Sequence, residues 1–361
     1  MTVDCPALAQ LIAPVEFETF IDEFWHRDLL VLDDCSVPFS GIVTAGEIDA
    51  CIARDPPHLT LADAGSGEGR FSLSGPDGHI ATLARFQQGA TLILDHAQRQ
   101  LPGLGRLCRR PEAELGYGCH ANIYVTPPGG QGFPMHADKT GAFIMQIAGQ
   151  KIWHVEQDGR ERSYELRPGA LAWLPKGMPH AARAGCGGSM HVTLAIAVPS
   201  WSSIAGAGGG ALDEPLPPGF HRMSDDVLVE RLSQIWEGDA EAAVSDALLS
   251  RAEVFSPDMS GRVTGALSTP EMTPETRLRP RDDIIWRLAD VGDQVRLVCG
   301  PIRLLAPAKL ASLLRQCLTR PVRIGDLSDA EPSEVAALVR SLLANGLVHC
   351  GDAGDDSGAS S

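Results

Sequence analysis

At 361 residues, with 46 acidic against 30 basic side chains, the chain carries a formal net charge of −16; that balance argues against a surface built to hold nucleic acid and suits a basic protein substrate drawn in by opposite charge. Nine cysteines, an odd number, are scattered with no C-x-x-C pair, which argues against a zinc ribbon or a disulfide scaffold and points to a reducing cytoplasm. The first residues do not read as a secretory leader, and no run approaches the roughly 18 uncharged apolar residues of a membrane span.

In chain order, Phe17, Phe20, Ile21, Phe24 and Trp25 recur at helical spacing and predict an opening helix that ends at His26. His26-Arg27-Asp28 has the letters of a kinase catalytic loop, but no asparagine follows at the kinase spacing and no Gly-rich phosphate loop precedes it. Residues 29–32 read as a strand and the glycines of 65–69 as a turn, since no Lys-Ser/Thr helix start follows them. From 120 to 200 the pattern becomes short strands broken by Gly and Pro: 122–126, the loop 127–132, then 142–147, 151–155 and 167–175. Such a pattern predicts a double-sheet barrel with a mouth able to hold a ligand.

Residues 206–219 are rich in Gly and Pro and read as a linker. Beyond them the periodicity is helical. Val227, Leu228, Leu232, Ile235 and Trp236 form one apolar face behind a Ser224 cap, and Val244, Ala247, Leu248 and Val254 form another. A last unit follows over 280–350, with Leu310, Leu313, Leu314 and Cys317 on one helix. A second helix carries Val335, Leu338, Val339 and Leu342, capped by Ser333 and stopped by Gly346, before a strand-like 347–350. This unit is nearly neutral and shows no basic recognition stripe, so no nucleic-acid partner is expected. The acidic end, 351–361, reads as a tail.

The chemistry is concentrated in His136-Ala137-Asp138 and the later His180. On a strand, residues i and i+2 point to the same side, so His136 and Asp138 can meet one ion together, with a distant histidine arriving from a later strand. Two histidines and one carboxylate on one face of a metal leave positions open for substrate and dioxygen, the ligand set of mononuclear non-haem Fe(II) oxygenases. His191, in an alternating strand, is the rival for the third position; His180 sits at the end of a strand after Pro-Lys-Gly-Met-Pro and is preferred, with His191 as pocket wall. His120, His154, Trp153 and Trp173 read as strand-face, loop or core residues.

The stretch N-I-Y-V-T-P-P-G-G-Q-G-F-P-M-H-A-D, followed by F-I-M-Q-I-A-G-Q-K-I-W, L-R-P-G-A-L-A-W-L-P-K-G-M-P-H-A-A and S-M-H-V-T-L, resembles the JmjC-type ribosomal oxygenases, cupin-fold Fe(II)- and 2-oxoglutarate-dependent protein hydroxylases. The likeness is specific over about 120–197 and looser in F-W-H-R-D-L-L-V-L near the N-terminus. It implies an α+β fold: a double-stranded β-helix (cupin or jelly-roll, JmjC-like) catalytic domain over 1–205, a linker and helical dimerisation region over 206–275, a winged-helix domain over 276–350, and a tail over 351–361.

For the site, the resemblance implies iron held by His136, Asp138 and His180, with 2-oxoglutarate gripped at its far carboxylate by Lys151 and flanked by Asn122, Tyr124 and Thr193. The physics agrees: a buried carboxylate needs a cation, and lysine is rare here, at Lys139, Lys151, Lys176 and Lys309 alone among 30 basic residues. One departure is Ala195, which stands near the place where relatives carry a serine beside the co-substrate. The implied activity is hydroxylation of a protein side chain, with a basic ribosomal protein as substrate and a homodimer as the working form. Two alternatives stay open: the same chemistry on a peptide or amino acid of a biosynthetic pathway, and a non-catalytic cupin-like binding protein.

Overall fold

The computed structural model describes residues 8–54, 58–65, 70–72, 78–255, 257 and 272–351. Most of the turn expected at 65–69 and the acidic segment 352–361 lie outside the described residues. Two compact units are formed, Met1–Pro199 and Ser200–Ser361.

The first unit is built on antiparallel strands: β1 (Leu30–Leu32), β2 (Leu59–Ala62), β3 (Arg70–Phe71), β4 (Thr91–Leu94), β5 (Gly118–Thr126), β6 (His136–Ala137), β7 (Gly141–Gln157), β8 (Arg160–Leu166), β9 (Leu171–Leu174) and β10 (Pro179–Ala197). Their spatial order is β1-β9-β7-β10-β5-β4-β2-β3, with β6 added to β10 and β8 to β7. Two long strands, β7 and β10, organise everything else. The early part of β7 pairs with β9 and its later part with β8, while β10 runs antiparallel to both parts.

The change of partner happens at a glycine pair. The register between β7 and β10 shifts between Ala184 and Ser189, where Gly149 and Gly188 both adopt positive φ, +62° and +78°. A Cβ on Gly149 would lie 2.2 Å from the Gly188 carbonyl oxygen, so only glycine lets the two strands approach and bend here.

Alternation then sorts the side chains. On β10, Val192, Leu194 and Ile196 are fully buried on one side, and on β5 Ala121 and Ile123 join them. The intervening residues, His191, Thr193 and Ala195 with His120, Asn122 and Tyr124, face a cavity on the other side. Behind β7 and β9, Trp173 stacks on Trp25 with ring centroids 4.7 Å apart and donates its indole N–H to the Phe24 carbonyl at 3.2 Å. Phe20, Phe24 and Trp25 come from a helical stretch that closes just before His26, as their spacing predicts. Burying three aromatic faces together fixes that opening segment against the sheet.

The second unit contains helices Trp201–Ala205, Asp225–Ser233 and Ala240–Val254, then β11 (Arg277–Pro280), β12 (Arg287–Val291), β13 (Gln294–Cys299), β14 (Ile302–Pro307), helix Ala311–Thr319, β15 (Val322–Arg323), helix Pro332–Ala344 and β16 (Val348–Gly351). Two three-stranded antiparallel sheets result, β15-β11-β16 and β12-β13-β14. Leu313, Leu314, Cys317, Val335, Val339 and Leu342 from the two later helices share one core with Leu278, Leu297 and Val298.

Several local expectations shift. The stretch 206–219 is anchored rather than loose, with a 3-10 turn at Gly210–Asp213 and Leu212 and Leu216 buried. Ser224 does precede its helix, but that helix ends at Ser233, before Ile235 and Trp236, and Val227 stays 46% exposed. Val254, at the end of its helix, is likewise exposed. Ser333 is not a cap: Glu331 is, in a reciprocal capping box with Glu334. The reason is Pro332, whose fixed φ and missing N–H suit the first helical position, so the cap falls at Glu331, two residues ahead of Ser333.

Candidate metal centre and co-substrate pocket

His136 on β6 and His180 on β10 are direct cross-strand partners. Asp138 follows β6, its carbonyl accepting the Gly177 N–H at 2.9 Å, which ties the two segments together next to His180. The ligand atoms of His136, Asp138 and His180 all lie within 4.8 Å of one another. His136 Nε2 is 3.8 Å from one Asp138 carboxylate oxygen and His180 Nε2 is 3.8 Å from the other.

Ring orientation is set from behind. His136 Nδ1 is 2.9 Å from the Pro134 carbonyl and His180 Nδ1 is 2.9 Å from the Met178 carbonyl. A carbonyl only accepts, so each Nδ1 carries the proton and each Nε2 presents a lone pair toward the shared point. Burial moves the His180 imidazole below its usual range, favouring the neutral ring a metal needs. The donor set therefore suits an octahedral transition ion with open positions.

The same residues border a cavity of about 370 Å³ whose walls come from β5, β7 and β10. Lys151 reaches into it from β7 and is 4% exposed. Its ammonium donates to Thr126 Oγ1 at 3.1 Å, and no carboxylate among the described residues forms an ion pair with it. Burial pulls its pKa down to about 7. A buried amine without an anion is costly; a dicarboxylate whose far end reaches Lys151 would remove that cost.

The other expected residues gather at the same place. Asn122 stands directly across from Thr193, and Tyr124 across from His191, on neighbouring strands β5 and β10. All four line the cavity. Asn122 accepts the His96 N–H at 3.0 Å through its carbonyl oxygen. The Tyr124 ring lies flat on His191, with centroids 4.9 Å apart and 3° between planes. His191 is thus a wall, away from the clustered ligand atoms, held well below the usual histidine range by burial and then by Lys151. Its Nδ1 has no hydrogen-bond partner among the described residues.

Sequence reasoning missed Thr91, Thr126 and Arg70, and gave His120 and Trp153 only structural roles; all but Thr126 are in the cavity lining, and Thr126 contacts Lys151. Extending the Asn122–Tyr124 alternation one step each way would have found His120 and Thr126, and one step from Lys151 would have found Trp153. Nothing in the sequence marks Arg70, which lies on β3 and pairs with Asp95 at 2.9 Å.

Residues 94–165 match the family model described as the JmjC domain. The chain is similar to the JmjC-type ribosomal oxygenases. It is 29% identical over 212 residues to the bifunctional lysine-specific demethylase and histidyl-hydroxylase NO66 of Drosophila pseudoobscura pseudoobscura, covering 52% of this chain and 22% of that protein. Against ribosomal oxygenase 2 of Mus musculus it is 26% identical over 212 residues, covering 51% of this chain and 46% of that one. The chain thus spans less than half the length of these curated relatives. Among solved structures, the ribosomal oxygenase YcfD of Escherichia coli in complex with cobalt and 2-oxoglutarate aligns with 94% of this chain and 99% of its own, at 16% identity and a TM-score of 0.50. Another structure of E. coli YcfD gives a TM-score of 0.51. The fold is accordingly the JmjC/cupin fold, with mixed helices and antiparallel sheets. No helix among the described residues is long and apolar enough to cross a membrane.

Proposed function

We propose that this chain is an Fe(II)- and 2-oxoglutarate-dependent dioxygenase that hydroxylates a side chain of a protein. One observation carries the reading: a His136–Asp138–His180 cluster with both Nε2 atoms turned toward the shared point borders a cavity that also holds a buried Lys151, which has no carboxylate partner among the described residues. His136, Asp138 and His180 would hold the iron. Lys151, steadied by Thr126, would take the far carboxylate of 2-oxoglutarate, with Asn122, Tyr124 and Thr193 beside it. Bound together, iron and 2-oxoglutarate supply the dioxygen-dependent redox chemistry that places a hydroxyl on a C–H carbon. The chain's own work is orientation: the Pro134 and Met178 carbonyls fix the imidazoles, Trp153 packs against both His180 and His191, and the apolar face behind β5 and β10 keeps the pocket rigid.

A basic ribosomal protein is the proposed substrate, supported by the names of the relatives and by the acidic balance of the chain. The helices within 206–275 are proposed to form a homodimer, and 276–350, with its helix–strand–helix–strand order, a winged helix. A reducing cytoplasmic setting is supported by the free thiol of every described cysteine.

The test is mass spectrometry of the host's ribosomal proteins after incubation with enzyme, Fe(II), 2-oxoglutarate and air. A single-oxygen gain at one residue, absent with Asp138→Ala, is the expected result. Succinate formed without any modified protein would move the substrate to peptides and metabolites; no succinate at all would sink the oxygenase reading.

A further inference from the structure

His191 brings a polar ring to the cavity wall and leaves part of that polarity unused. It stands on β10, 2% exposed, and lines the cavity shared with Lys151. Its ring lies flat on Tyr124, with centroids 4.9 Å apart and 3° between planes, and Trp153 meets it edge-on at 5.6 Å and 77°. One neighbour against the face and one at the edge fix the plane of the imidazole, so its nitrogens point in set directions. Nδ1 is enclosed and has no hydrogen-bond partner among the described residues.

A phenylalanine would make the same two ring contacts without enclosing a polar atom, so packing alone does not account for a histidine here. Burial and then Lys151 keep the ring uncharged, and a neutral imidazole carries a single N–H. A proton on Nδ1 would be a buried donor with nothing to accept it. On Nε2, which is not enclosed in that way, the proton can reach a ligand, so the lower-cost tautomer offers the cavity an uncharged donor. Its place is beside Lys151: Tyr124, under the ring, is one alternation step along β5 from Thr126, which accepts the Lys151 ammonium at 3.1 Å.

We propose that His191 is a second donor to the far carboxylate of 2-oxoglutarate, and that with Lys151 it makes the site select 2-oxo acids that carry two carboxylates. This role rests on the oxygenase reading and adds to it a residue that sets co-substrate specificity. A carboxylate has several lone pairs to satisfy, and one ammonium neutralises the charge without meeting all of them once water is excluded. A neutral N–H from β10 supplies a further hydrogen bond without bringing a second charge into a buried wall. Tyr124 and Trp153 already hold the ring, so forming that bond costs little ordering on binding.

The experiment uses the full chain loaded with Zn(II), which does not turn over, and reads 2-oxoglutarate affinity by isothermal titration calorimetry. 2-Oxopentanoate, in which a methyl replaces the far carboxylate, is measured beside it by competition. His191→Phe keeps both ring contacts and removes the N–H; it should weaken 2-oxoglutarate at least about tenfold and leave 2-oxopentanoate within about threefold. His191→Gln, which carries a neutral N–H at similar reach, should stay within about threefold of the parent for both acids. Circular dichroism melts check that each variant is folded. Equal losses for the two acids in His191→Phe would show a ring that only shapes the cavity and overturn the proposal, as would an unchanged 2-oxoglutarate affinity. A parent chain that binds Zn(II) but not 2-oxoglutarate would overturn the oxygenase reading together with this role, so the two failures are told apart.

Discussion

His136 and His180 face each other across β6 and β10 with ring centroids 4.4 Å apart, and each is held at Nδ1 by the carbonyl two residues earlier in the chain, just ahead of its strand. The symmetry has a chemical consequence: both rings are held in the tautomer that offers Nε2, the arrangement the proposed metal site needs. His136→Ala and Asp138→Ala should each remove tight metal binding and 2-oxoglutarate turnover, by at least about a hundredfold, while the melting profile of the metal-free protein stays close to that of the parent. Metal content by inductively coupled plasma mass spectrometry and succinate release check this; turnover surviving in both variants would refute the ligand assignment.

Lys151 sits among apolar and neutral groups with its pKa lowered to about 7, below the ordinary 10.5 it has when unfolded. The folded state therefore binds fewer protons than the unfolded state between those values, and the cost of burying the amine is fully present below about pH 7 and fades as pH rises toward 10.5. Lys151→Met should accordingly stabilise the ligand-free protein by a few kcal/mol, on the order expected for a relieved buried charge, with the gain largest near pH 6 and shrinking at pH 9. The same variant should no longer bind 2-oxoglutarate. Thermal melts at the two pH values decide it, and an unchanged melting temperature near pH 6 would show that the amine is not strained.

Co-substrate affinity should follow the same proton. Only the ammonium attracts the far carboxylate, so KM for 2-oxoglutarate should rise above about pH 7, by up to roughly tenfold per pH unit until the pKa of the complex is reached. Lys151→Arg keeps the charge at all accessible pH values and should flatten that profile, even if its shape lowers the maximal rate. A parent enzyme with a pH-independent KM would contradict the role given to Lys151.

The cavity also carries information about what enters it. Arg70 and Lys151 are its cations, and Asp138, the proposed metal ligand, is the one carboxylate among the described lining residues. Arg70 is already paired with Asp95 and Lys151 would be met by the co-substrate, so no described lining carboxylate beyond Asp138 is left to hold a guanidinium or ammonium, and a neutral side chain should be hydroxylated at least about tenfold faster than an arginine or lysine at the same position of a peptide. Competing peptides that differ at that single residue, scored by mass spectrometry, would reveal a preference in either direction.

Gly149 tests the bend rather than the chemistry. With φ at +62° and a Cβ path blocked by the Gly188 carbonyl at 2.2 Å, Gly149→Ala should destabilise the first unit by several kcal/mol, and it should displace Lys151 two residues later. Chemical denaturation measures the first effect and 2-oxoglutarate titration the second. A variant with parental stability would mean that the β7–β10 bend does not depend on this glycine.

Local signals in the sequence went far. The resemblance pointed to Asn122, Tyr124 and Thr193, which line the cavity with His191, and the His136–Asp138 spacing brought two candidate ligands to one place, with Asp138 just past the short strand that carries His136. Helical spacing found the cores of both later helices, with Leu313, Leu314 and Cys317 in one and Val335, Val339 and Leu342 in the other. These succeed because period-two and period-3.6 patterns are properties of neighbouring residues. Ser333 and Val254 show the limit at element ends, where one proline or the last turn decides exposure.

What the sequence by itself determined is the chemistry: which residue types could hold a metal, the scarce lysine that could meet a carboxylate, and the class of fold. Only the tertiary structure decided which groups meet. It set His180 opposite His136, brought Arg70 and Thr126 to the Lys151 cavity, and laid His191 flat on Tyr124. Register between distant strands depends on backbone pairing over long loops, and a one-residue slip would turn every one of those side chains away.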